Sequence, residues 1–150
     1  MGQPRLDQSS RAPFFPAIFG PDFSFFCVTL LGADGSLAKL GTIIRCDTVE
    51  ATSDFDIVAY IGEDGISNCG GRVTLRMGGK SHVLHYEPIG KGSVALPHDF
   101  AITDTLCMVT MDGRQGVGIA ETSNRAQGGT NKPYILPTSL CIMENGIHAL

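Results

Sequence analysis

At 150 residues the chain suits one domain with a sizeable core, and a net charge of −4 with no run of Lys or Arg excludes general nucleic-acid binding, which needs basic patches. Hydrophobic residues make up 43% and charged ones only 17%, so the lightly charged surface favours an oligomer or a bound apolar partner. Five cysteines, at 27, 46, 69, 107 and 141, form no CxxC pair, which speaks against a zinc site or a disulfide framework and fits a reducing cytoplasm. The N-terminal residues Met1-Gly-Gln-Pro-Arg-Leu-Asp7 lack the layout of a signal peptide, and no apolar run reaches the length of a membrane span. A soluble, cytoplasmic protein is therefore expected.

In chain order, residues 1–21 are Pro-rich but carry Phe14, Phe15, Ile18 and Phe19, so they read as an arm packing on the body or on a second subunit. Residues 22–150 read as a single β domain. Phe23–Leu31 is the first strand, turned by Ala33-Asp-Gly-Ser36, and Ala38–Cys46 returns. Phe55–Ile61 is the next, ended by Gly62-Glu-Asp-Gly65. Gly71–Met77 and Lys80–Glu87 form a hairpin around Gly78-Gly79, and Thr103–Met111 with Gly116–Thr122 forms the last one. Residues 123–133 read as a polar loop. The tail from Tyr134 to Leu150 has apolar residues suited to a short docking strand or to a partner. Frequent turns and no helical period predict an all-β, antiparallel sandwich or barrel.

The last hairpin carries the leading chemical candidate. Asp112-Gly113 tolerates the positive φ of a tight turn. With either a two-residue or a four-residue loop, Leu106, Met108 and Thr110 share a face with Val117, Ile119 and Glu121, while Gly116, Gly118 and Ala120 take the other. The apolar side is expected to face inward. Glu121 would then end a buried face with Asp104 nearby, where burial and the second charge raise one pKa. Such an acid can protonate an alkene or carbonyl without a cofactor. The bland alternative is a salt bridge with Arg125 or Arg114, or exposure at the barrel mouth.

In His82-Val-Leu-His-Tyr-Glu87, the HxxH-plus-Glu pattern suggests a metal, but alternation points the two imidazoles apart. His82 shares its face with Val73, Leu75, Leu84 and Tyr86, as a core histidine or a cavity acid/base. Nucleophile elbows, P-loops and dinucleotide turns are absent, since Gly116-x-Gly118 lies inside a strand pattern.

Two stretches, Gly20-Pro-Asp-Phe-Ser-Phe25 and Asp112-Gly-Arg-Gln-Gly-Val-Gly-Ile-Ala-Glu121, resemble the C-terminal half of the AttH/hydroxyneurosporene-synthase (CrtC-like) lipocalin-type proteins. The resemblance loosely spans residues 7–122. It implies an antiparallel lipocalin-like barrel or half-barrel, about half of a usual two-barrel member, with either a homodimer to supply the second barrel or a truncated relative that only binds. The family's Asp-His-Ser/Asn-Trp-Gly segment falls on Asp7-Gln8-Ser9-Ser10, where Asp7 and Ser9 match but Gln8 and Ser10 replace the His and Trp.

The resemblance further implies cofactor-free chemistry on a terpenoid- or polyketide-like molecule: hydration, dehydration, isomerisation or cyclisation, of lyase or isomerase type. Glu121, Asp104, His82 and Asp7 are the catalytic candidates. Tyr86, Phe25, Met108, Ile119 and Leu84 are the candidates for contacting the substrate. No cofactor or metal is called for. The alternative is a lipocalin-like protein that binds an apolar ligand without turnover.

Overall fold

The computed structural model describes residues 11–31, 36–62, 67–90, 92–95, 100–125, 141–144 and 147–149. Twelve strands run through them: β1 (Arg11–Ile18), β2 (Phe23–Leu31), β3 (Leu37–Arg45), β4 (Thr48–Thr52), β5 (Phe55–Ile61), β6 (Asn68–Met77), β7 (Lys80–Pro88), β8 (Ser93–Ala95), β9 (Phe100–Met111), β10 (Arg114–Arg125), β11 (Cys141–Glu144) and β12 (Ile147–Ala149). They form one antiparallel sheet in the order β12-β11-β5-β6-β7-β9-β10-β1-β2-β3-β4, with β8 added alongside β9. The sheet curls strongly into a lipocalin-like half-barrel.

The expected hairpins form as read. Asp112 and Gly113, at φ 50° and 76°, close β9 on β10, and Gly78 and Gly79, at φ 57° and 76°, close β6 on β7. The tail docks as β11 against β5, as one of its two expected forms. The turn after the first strand and the acidic turn at 63–65 lie in or partly in the undescribed residues.

Two boundaries change. Residues 123–125, expected in the polar loop, extend β10 to Arg125. Residues 11–18, expected in an arm that packs on the body or on a partner, form β1, hydrogen-bonded between β10 and β2 inside the body of the sheet. Pro13 and Pro16 each remove a ladder donor and so mimic a breaker, yet Phe15 and Ala17 alternate into the core beside them. β4, which continues the sheet beyond β3, was also not foreseen.

Large side chains fill the interior. Phe15 lies against Tyr86 with ring centroids 4.6 Å apart, and Phe25, Phe55, Ile57, Val73, Leu75, Leu84 and Val109 surround them. The small residues of β10 make room for this. A Cβ on Gly118 would stand 3.0 Å from the Phe15 ring, and one on Gly116 only 2.3 Å from the Ile18 carbonyl. Cys27 and Cys107 serve as small core residues, as expected, and burial pushes the Cys27 thiol pKa up.

Where the curl comes round, β3 and β5 meet through side chains. Lys39 Nζ stands 2.6 Å from Asp56 Oδ1 across the seam, and on the β5 side of it Arg76 of β6 reaches Asp54 and Asp56 at 3.0 and 2.8 Å. The Gly41 position packs on the Phe55 ring.

Gly71 is the tightest point. Its φ is 157°, and a Cβ there would overlap the Val58 carbonyl and the Tyr86 hydroxyl, which donates to that same carbonyl at 3.0 Å. Gly71→Ala is therefore expected to cost roughly 3 kcal/mol or more, and Tyr86→Phe about 1–2 kcal/mol for the lost buried hydrogen bond. Chemical denaturation with linear extrapolation checks both.

Candidate functional site

The parity of the last hairpin is as read, but its sign is reversed. Val117 pairs with Met108, Ile119 with Leu106 and Glu121 with Asp104, all on one face, and that face is the outer one. Met108 is 48% exposed and Ile119 41%, whereas Cys107, Val109 and Ala120 are buried. The reason is volume: with Phe15 and Tyr86 filling the barrel, only the small residues of β10, Gly118, Ala120 and Thr122, fit inside. Met108 and Ile119 therefore line no interior cavity.

Glu121 and Asp104 are directly opposed across β10 and β9, with Phe14 of β1 on the other side of Glu121. Partial burial, the Asp104 charge and a hydrogen bond with Asp104 hold the Glu121 carboxyl above its ordinary value. The expected acid pair thus exists, but outside the barrel. Arg114 does not neutralise it, because Arg114 grips Asp22 through two 2.8 Å contacts and donates to the Phe19 carbonyl at 2.7 Å. That guanidinium holds Asp22's carboxyl below its usual range.

Tyr86, Phe25 and Leu84, expected as substrate contacts, are buried in the core. His82 does not line a hollow itself, but its Nδ1 lies 2.5 Å from Oδ2 of Asp112, which does. Asp7 lies outside the described residues.

The hollow sits at one end of the barrel, where the turns β1–β2, β3–β4, β6–β7 and β9–β10 gather. It encloses about 290 Å³ and is lined by Phe19, Phe23, Met77 and Met111, with Asp22, Arg45, Asp112 and Arg114 at the rim. Phe19 and Phe23 are in ring contact at 5.7 Å. Arg45 donates to the Met77 sulfur at 3.5 Å, and among the described residues no carboxylate pairs with it. Sequence reading missed these residues, since each flanks a different turn. The recurrence of Phe, Met or Arg beside four tight turns was the available signal.

Beyond the Phe15–Tyr86 layer, the buried hydroxyls of Thr103, Thr105 and Thr122 have no hydrogen-bond partner among the described residues. Also among the described residues, no three of His, Cys, Asp and Glu converge closely enough to hold a metal ion, and no helix is long and apolar enough to cross a membrane.

Glu121→Gln tests the assignment of the acid pair. A raised carboxyl contributes stability that is present below its ordinary value of 4.5 and lost as pH rises through the raised value. The variant should match wild type in acid and exceed it at neutral pH by about 0.2–1 kcal/mol, the scale of an opposed like-charge pair open to solvent. Denaturation midpoints across pH check the sign.

Neither the curated proteins nor the solved structures yielded a match to the chain. A family model described as "Domain of unknown function (DUF7064)" matches residues 3–126, and the chain belongs to that family.

Proposed function

We propose that the protein is a lipocalin-like binder of an apolar small molecule, held at the barrel mouth and released unchanged. The hollow bounded by Phe19, Phe23, Met77 and Met111 carries this reading. Mouths of β-barrels are common ligand sites, and apolar linings with a few polar groups are their usual chemistry. Met77 and Met111 adapt to varied shapes. Arg45, whose partner is only a weak thioether acceptor, supplies a cation for a carboxylate or carbonyl at one end of the ligand. The packed interior leaves the mouth as the place of entry, and a longer ligand extends into solvent. The reading carries with it a cytoplasmic location, suited by the free thiols of Cys27, Cys46, Cys69 and Cys107, and a homodimer.

One observation favours a second reading, the cofactor-free enzyme. The His82–Asp112 pair adjoins the same hollow and is placed for acid/base work there. In that reading it takes over the role expected of Glu121 and Asp104.

The test is titration with a fluorescent long-chain fatty acid, followed by mass spectrometry of the recovered ligand. Wild type should bind saturably, and Arg45→Glu and Met77→Glu should each weaken binding about tenfold, equivalent to about 1.4 kcal/mol. Glu121→Gln should bind as wild type does. Undiminished binding in both mouth variants discards the mouth as the site. A ligand recovered chemically altered, in mass or in chromatographic retention and fragmentation, and unaltered with Asp112→Asn, replaces the first reading with the second.

A further inference from the structure

The outer face of the sheet is largely apolar over half its width. Following the pairing across strands, one row reads Val49 (β4), Ile44 (β3), Ser24 (β2), Ile18 (β1), Val117 (β10) and Met108 (β9). The next reads Ala51, Thr42, Phe26, Pro16, Ile119 and Leu106 along the same strands. A third runs Leu40, Val28, Phe14, Glu121 and Asp104. Val49 is 74% exposed, Ile18 and Leu40 56%, and Leu106 55%. None of these positions holds Lys or Arg, and the only carboxylates are the Glu121–Asp104 pair at one corner. Beside the protruding aliphatics lies a hollow of about 450 Å³ among Phe26, Leu40, Thr42 and Ala51.

We propose that this face, formed by β9, β10, β1, β2, β3 and β4, is the interface with a second copy of this chain. This names the surface of the homodimer and stands apart from ligand binding at the mouth.

Area and charge select the occupant. The exposed aliphatic side chains of the rows together offer on the order of 800 Å² per copy, which is what a stable interface buries on each side and more than a monomer's largest apolar patch usually spans. Lys39, which borders the hollow, is paired with Asp56, and the rows themselves hold no cation, so the face gives little attraction to anionic lipid or to nucleic acid. A broad, nearly uncharged sheet face matches another of its own kind. Two copies related by a two-fold axis bring the same rows together, stacked as sheets stack in a sandwich, with Val49 and Ile18 as knobs and the hollow at Phe26 to receive them.

Sedimentation velocity of the full chain over a dilution series tests this. Wild type should sediment as a dimer at micromolar concentration, and Ile119→Lys and Leu106→Lys as monomers with unchanged circular dichroism. Val83→Lys, exposed on β7 outside the rows, should remain dimeric. A wild type that is monomeric up to about 100 µM, far weaker than interfaces of this size allow, overturns the proposal, whether the face is then covered by residues 126–140 or by another protein. A dimer that persists in Ile119→Lys overturns it too. If the charged variants fail to fold, hydroxyl-radical footprinting of wild type decides: Ile18, Leu106 and Val117 must lose reactivity as concentration rises, and constant reactivity overturns the proposal.

Discussion

The structure depends on the lack of side-chain volume along the inner face of β10. Gly116, Gly118 and Ala120 leave a trough into which β1 settles and across which the Phe15 ring reaches Tyr86. A Cβ at Gly116 or Gly118 would press on β1 backbone. Close packing then forces the rest: the barrel interior is filled by rings, the aliphatic residues of β10 turn outward, and free space survives at the mouth. A carrier with a large central cavity would need the opposite arrangement, with bulk on the wall and none at the centre.

Much of this was legible in the chain. Asp112-Gly113 and Gly78-Gly79 mark hairpins because their backbone demands are local, and strand parity follows from the turn alone. Which face goes inside is another matter. Alternation separates Val117, Ile119 and Glu121 from Gly116, Gly118 and Ala120 but says nothing of which set meets the core. That choice is made by Phe15 and Tyr86, which arrive from β1 and β7, far apart in sequence. Hydrophobicity favours the aliphatic set inside, volume favours the glycines, and volume wins here. β1 was hidden for a related reason: its prolines look like breakers until neighbouring strands supply the bonds on the remaining donors.

The candidate site divided along the same line. His82 could be placed beside Leu75 and Leu84 from local pairing, and it is there. Its partner Asp112 belongs to another hairpin, and the gathering of four turns into one rim is a property of the curled sheet. Residues such as Arg45, Met77 and Phe23 look unremarkable one at a time. Their chemistry exists only once β3, β6 and β2 end at the same height around one opening.

The joint between β3 and β5 has a consequence for how the barrel behaves as a container. Among the described residues, the other neighbours around the wall are held by ladders of backbone hydrogen bonds, but this seam is fastened by the Lys39–Asp56 ion pair and the packing of Gly41 on Phe55, with Arg76 holding Asp56 from the β6 side. Ion pairs tolerate changes in length and angle that a ladder does not, and they weaken as salt screens them. The wall therefore has one adjustable clasp: its girth can change there while the strands keep their register, and ionic strength acts on that clasp before it acts on the rest of the sheet.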